Sequence, residues 1–274
     1  MTGYKGSAGG VNKRYTWKGL LYAAAPALLY TALSNAVYSL CAWSGLFASK
    51  SASRLWMQAV SVLVCLLVFG WYAYRAGIRL KSRKKGIYRY PASFCYVMAV
   101  VMCGIVNNYL FSMILSFVRN RSSGYWEVVQ VFYNHDLGLE ILTLCVVGPL
   151  AEELVYRGFV YQRLRAQYRE AVAAALSALL FGILHLNLVQ CVYAFVLGIL
   201  LAHIVYQTGS LLAAAAAHMA ANLVSVLWTE TDWLEVLNQS GSRLYAATAL
   251  CLVLMGIFLS YGNRMMLRER QERK

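Results

Sequence analysis

Long apolar runs broken by short polar segments organise this chain of 274 residues. Reading for apolar length and polar punctuation predicts about eight helices, near 18–42, 56–76, 92–117, 137–162, 171–187, 190–206, 210–228 and 244–262. Several exceed the roughly 18–20 residues that a bilayer crossing requires. The stretch 171–206 resembles one long helix, and Asn187 in His-Leu-Asn-Leu reads as the tight turn that divides it. The predicted fold class is all-α, a polytopic transmembrane helical bundle.

Composition agrees with lipid as the solvent. Hydrophobic residues make up 60% of the chain and charged residues 13%, and only three prolines interrupt the apolar runs. Soluble domains carry about twice that share of charge. The net charge of +14 would suit nucleic acid, but the basic residues form no single face or domain. They cluster between apolar runs, where membrane proteins hold Lys and Arg on the cytoplasmic side. Membrane lipid is therefore the expected partner and nucleic acid is not. Arg75, Arg79, Lys81, Arg83, Lys84, Lys85 and Arg89 follow the second span. The N-terminus (Lys5, Lys13, Arg14, Lys18), Arg163–Arg169 and the C-terminal tail (Arg264, Arg268, Arg270, Arg273, Lys274) are basic as well. An eight-span count places these four segments on one side, with Glu230, Asp232, Glu235 and the mixed segment 118–136 opposite. Both termini are expected in the cytoplasm.

The implied organisation is a cytoplasmic arm over 1–17, a single transmembrane domain over 18–262 with its chemistry within about 140–228, and a basic tail over 263–274. The basic start and Ser34-Asn35-Ala36 resemble a cleavable signal, but the apolar run continues to Trp43, which reads as a retained anchor. The seven cysteines are odd in number and nearly all lie within apolar runs, without a CxxC pair. Small buried hydrophobes fit them better than a disulfide framework or a thiolate metal site.

The fourth span reads Gly148-Pro149-Leu-Ala-Glu152-Glu153-Leu-Val-Tyr-Arg157-Gly158. Two carboxylates and an arginine inside an apolar helix are costly without partners. A helix ending at Pro149 would leave the glutamates at the membrane surface, yet apolar residues resume at Phe159-Val160-Tyr161 before Arg163. Glu153 and Arg157 stand four apart and can pair on one face. Glu152 is turned by about 100° from Glu153 and is free to face elsewhere. Pro149 frees backbone carbonyls, as prolines beside intramembrane cavities do.

The fifth span carries Phe181-Gly-Ile-Leu-His185 and the seventh His218-Met-Ala-Ala-Asn222, the latter after the small residues Ala213–Ala217. A lone histidine on an apolar helix is ordinarily a satisfied core residue; two of them beside a carboxylate pair are not ordinary. With cytoplasmic boundaries near Tyr161, 171 and 210, a rise of about 1.5 Å per residue puts Glu152 about 13 Å deep, His185 about 21 Å and His218 about 12 Å. The three helices then share one site in the cytoplasmic half of a ~30 Å hydrocarbon core. A carboxylate in a poorly hydrated pocket can act as a general base on water. Glu152, His185 and His218 also make the three-ligand set of a catalytic zinc ion, which leaves its fourth position to water. Without metal, the imidazoles and the Asn222 amide can stabilise an oxyanion.

The three motifs resemble those of the CPBP intramembrane protease family, which includes CAAX prenyl endopeptidases and bacterial bacteriocin-processing or self-immunity proteins. The family pattern is Glu-Glu-x-x-x-Arg, Phe-x-x-x-His and His-x-x-x-Asn on three helices. It is met in order by Glu152-Glu153…Arg157, Phe181…His185 and His218…Asn222, across roughly 140–228. The resemblance implies an intramembrane endopeptidase in which Glu152 activates water. Glu153 would pair with Arg157 or hold the site, and His185, His218 and Asn222 would bind a metal or the oxyanion. Family members have been viewed both as zinc enzymes and as metal-independent glutamate proteases. The implied substrate is a membrane-associated peptide or a lipidated protein tail. The expected setting is a bacterial plasma membrane, with the active site toward its cytoplasmic half.

Two other functions would use the same residues: a non-catalytic immunity or accessory protein, and a proton-coupled small-solute transporter. A transporter of this size would show paired broken helices in repeated halves, whereas only Gly148-Pro149 breaks a span. Of the remaining polar residues, His203 and Glu140 read as interfacial, His135 as solvated, and Asn107 and Asn108 as helix-packing groups.

Overall fold

A computed structural model describes residues 17–48, 53–80, 86–118, 133, 136–185, 188–231 and 241–272. The described residues form eight helices and no strand. They are α1 (Trp17–Ser44), α2 (Ser53–Arg75), α3 (Arg89–Val118), α4 (137–165), α5 (Glu170–Ile183), α6 (Leu188–Thr208), α7 (Leu211–Glu230) and α8 (Gly241–Gln271). Each corresponds to one expected span, and α8 continues into the basic tail as far as Gln271. The turn at Asn187 and the readings of His135, Asp232 and Glu235 fall outside the described residues. Six of the helices are long and apolar enough to cross a bilayer, α4 and the 14-residue α5 being the exceptions. This is an integral membrane protein.

Local chemistry explains the boundaries. Asp136 accepts from the Leu139 N–H at 2.8 Å and starts α4, satisfying one of the donors that a helix N-terminus leaves open. Gly209, at φ +65°, ends α6, and the Ser210 side chain then accepts from the Ala213 N–H to start α7. Glycine takes this left-handed conformation without the Cβ penalty.

The axis of the bundle is α4, which packs against α1, α2, α5, α6 and α7. It is not a uniform helix. Its backbone widens into π-helical turns at Ile141–Val147 and again at Leu154–Val160, on either side of an α-helical stretch, Gly148–Glu153. Such turns occur mostly as single-turn bulges and often at functional sites. Outside α4, α8 lies along α3, α7 packs on α3 and α6, and α5 runs against α6. Small residues permit the close approaches: Ala221 meets α3 at Gly104, and Ala178 meets α6 at Gly198. This is how helices associate in lipid, where apolar burial supplies no driving force between them.

All seven cysteines are free, six buried and Cys191 half-buried, in keeping with the reading of them as small hydrophobes. Asn108 donates to Ser225 Oγ at 3.1 Å and joins α3 to α7. His203 Nε2 meets Asn263 Oδ1 at 2.9 Å, and Tyr96 donates to the same oxygen at 2.8 Å. His203 therefore ties α6 to α8 and α3. Glu140 is fully buried.

A methyl group added at Gly198 would lie 2.8 Å from Ala178 Cβ and 3.3 Å from Arg157 Nη2. Gly198→Ala is expected to cost about 1–3 kcal/mol by overpacking. Gly256→Ala, which opens onto free space on α8, should leave stability unchanged or raise it. Thermal unfolding of both variants in detergent tests this; equal midpoints would mean that the α5–α6 contact is not tight.

Candidate active site

Adjacent positions on α4 send Glu152 and Glu153 to different surroundings. The Glu153 side chain is 2% exposed and accepts from Arg157 Nη1 at 2.8 Å, one helical turn away. Arg157 is fully buried. Its second terminal nitrogen donates to the Gly198 carbonyl at 3.3 Å, and its guanidinium lies 4.6 Å from the centre of the Phe181 ring. One cation thus connects α4 to α6 and α5. Its carboxylate partner connects α4 to α7, because His218 Nδ1 stands 2.9 Å from the same Glu153 oxygen. A carboxylate already paired with arginine can only accept, so Nδ1 carries the proton and donates.

Glu152, at 22% side-chain exposure, faces a cavity of about 330 Å³. It is the one carboxylate, and there is no lysine or arginine, among the described residues that line this space. The Glu152 carboxylate stands 3.7 Å from His218 Nε2, too far for a direct hydrogen bond and suited to a shared water. His185 and Asn222 line the same cavity. The Phe181 carbonyl lies in the last turn of α5, where helix carbonyls lose their backbone donors; His185 Nδ1 meets it at 2.7 Å. His185 therefore donates through Nδ1, and both histidines hold Nε2 free for the cavity.

Pro149 explains the position of Asn222. In the first π-helical stretch of α4 the Gly148 N–H bonds to the Thr143 carbonyl, five residues back. The next bond in that register would run from residue 149 to the Leu144 carbonyl, but proline has no N–H to give. Asn222 Nδ2 supplies the missing donor at 2.8 Å. One of its two amide hydrogens is thereby committed, and the other remains for a ligand in the cavity.

All six residues expected at the site are brought together. Glu152, His185, His218 and Asn222 line the cavity, while Glu153 and Arg157 lie behind it as a buried pair. For a metal ion, the two Nε2 lone pairs have the orientation that imidazole ligands use when Nδ1 is held by a second partner. However, no group of three His, Cys, Asp or Glu among the described residues is gathered closely enough to hold an ion. As placed, Glu152, His185 and His218 do not fit a bound zinc. The cavity also takes in Gln58, Tyr133, Thr143, Gln190, Tyr193 and Ser225. Sequence reading did not single these out as site residues; only the polarity of Gln58 and Gln190 near span ends hinted at them. The cavity runs from Glu152 toward the ends of the helices that lie away from the basic segments.

A family model described as "Type II CAAX prenyl endopeptidase Rce1-like" matches residues 134–224. The match covers all three motifs, and over this third of the chain it bears out the family resemblance. Neither a curated protein nor a solved structure matches the chain.

Asn222→Ala removes the donor to the Leu144 carbonyl and is expected to cost about 1–3 kcal/mol. Pro149→Ala restores an N–H at the vacant place in the register. In a double-mutant cycle read by unfolding, the second change should recover part of the loss caused by the first. Simple additivity would show that the two positions do not serve the same carbonyl.

Proposed function

We propose that the chain is an intramembrane endopeptidase that hydrolyses a peptide bond in a membrane-associated polypeptide, with Glu152 as the base that activates water. The observation that carries this reading is the isolation of Glu152: a half-buried carboxylate in an intramembrane cavity, facing the unprotonated nitrogen of a histidine held from behind. The match to a CAAX prenyl endopeptidase model over the same residues supports it.

A water between Glu152 and His218 Nε2 would have two acceptors for its two hydrogens. Glu152 takes one proton while the water oxygen bonds to the carbonyl carbon of the substrate. The negative charge that develops on the carbonyl oxygen requires donors already in place, and the second amide hydrogen of Asn222 is one. As the C–N bond breaks, the proton held by Glu152 passes to the leaving nitrogen, giving a free acid and a free amine. Glu153 and Arg157 do not touch the reacting atoms. They fix the tautomer of His218, since a protonated Nδ1 leaves Nε2 as an acceptor. These steps need only the side chains.

Glu152→Gln keeps the shape of the site and removes the base, so cleavage of a reporter peptide in detergent should fall by about 10²–10⁴-fold with the unfolding midpoint retained. Cleavage at the wild-type rate would place the base elsewhere. Glu153→Gln should instead lose folded protein, because uncoupling a buried ion pair costs about 3–5 kcal/mol.

Activity in the presence of a strong chelator is the separate test of metal dependence. Undiminished turnover is expected from the donor spacing; loss that zinc restores would show that the three donors close around an ion.

A further inference from the structure

The cavity has a direction relative to the charge pattern, and the direction bears on which polypeptides can reach Glu152. Every stretch that lines it lies toward the same end of the bundle. Gln58 is in the first turns of α2, whose other end is Arg75. Tyr133 precedes α4, Thr143 and Gly148 lie in its first half, and Glu152 stands at its middle. His185 follows the last turn of α5, Gln190 and Tyr193 open α6, and Asn222 and Ser225 lie in the second half of α7. These helix ends are the ones away from Arg79, Arg89, Arg163 and Arg165.

Toward the opposite end the bundle is closed. Arg157 is fully buried, and beyond it Val160, Tyr161, Leu164, Leu201 and Ile204 form a layer with at most 3% exposure. A second cavity lies on that side, lined by Arg79, Arg163 and Arg165 among others, and it shares no residue with the first. No continuous path therefore joins Glu152 to the basic face through the described residues.

The charge asymmetry gives these two ends an address. Arg75, Arg79, Arg89, the arginines of 163–169 and those of 264–273 mark one face, with the lysines of 81–85. By sequence position, Lys50, Arg54, Arg119, Arg121 and Arg243 are the smaller count opposite, offset by Asp136 and Glu230. Short loops rich in Lys and Arg stay in the cytoplasm.

We infer that the active-site cavity opens to the non-cytoplasmic side, and that its substrate is a peptide segment presented from there, the translocated part of an exported or membrane-inserted polypeptide. The lining suits such a segment. Gln58, Gln190, Tyr193, Asn222 and Ser225 offer neutral donors and acceptors for a polypeptide backbone, and the absence of Lys and Arg among the described lining residues leaves no partner for a terminal carboxylate. This inference rests on the protease reading for the word substrate; the direction of the opening stands apart from it.

Labelling of single cysteines in intact cells with a membrane-impermeant maleimide decides the direction, using the full chain. The wild type is the blank, since its cysteines are buried or half-buried. Gln58→Cys and Gln190→Cys, made separately so that one can fail to fold without loss of the test, should label in intact cells several-fold above the blank. Arg79→Cys should label only after permeabilisation. The reverse pattern overturns the inference. So does labelling at neither Gln58→Cys nor Gln190→Cys in permeabilised cells that still label Arg79→Cys. Adding Glu152→Gln should leave the pattern unchanged, so a failure of the protease reading shows in cleavage alone and a failure of orientation in labelling alone.

Discussion

One carboxylate oxygen, Glu153 Oε1, organises the centre of this protein. It receives Arg157 from its own helix and His218 from α7, and through Arg157 it is linked to the Gly198 carbonyl on α6 and the Phe181 ring on α5. Four helices thus meet at a single ion pair that water does not reach. In lipid such a group is stabilising only when complete, since either partner alone would be a buried uncompensated charge. The same bonds that hold the helices also decide the protonation of the histidine beside the cavity. Architecture and chemistry are therefore set by one contact, and a change in either carries over to the other.

The irregular backbone of α4 follows from a related constraint. Inside a membrane every backbone polar group requires a partner within the protein. The two π-helical stretches and Pro149 leave carbonyls without their usual donors, and a side chain from α7 fills one of the places. Asn222 is held by a defect in the neighbouring helix, which positions its amide more firmly than a free rotamer would. The cavity begins where the regular ladder ends, beside Gly148 and Pro149, so the space for a ligand and the loosened backbone have one origin.

Much of this was legible in the residue order. Apolar length and charge marked the eight helices, and the spacing of Glu153 from Arg157 and of His218 from Asn222 identified pairs of positions on shared faces. Other features depend on packing that no local pattern encodes. His203 looked interfacial because it lies near the end of a run; its partner Asn263, sixty residues away, comes from another helix. Counting depth from the cytoplasmic boundary of each helix separately gave a shared level for the site but no direction for its opening. The count could not show that Arg157, Tyr161 and Leu164 are buried toward one end while Gln58 and Gln190 line the cavity at the other. Thr143 and Gln190 are unremarkable in sequence and gain meaning only from the space they border.

The shortness of α5 has a consequence for the surrounding lipid. Fourteen residues extend only about 21 Å, roughly two thirds of a ~30 Å hydrocarbon core, and His185 sits where the helix stops. A bilayer accommodates a short hydrophobic element by thinning locally or by letting headgroups settle inward. A leaflet drawn down above His185 by this mismatch would shorten the distance that water must travel to Glu152. For a hydrolase working inside a membrane, a short helix beside the site would thus serve the supply of its second reactant, water.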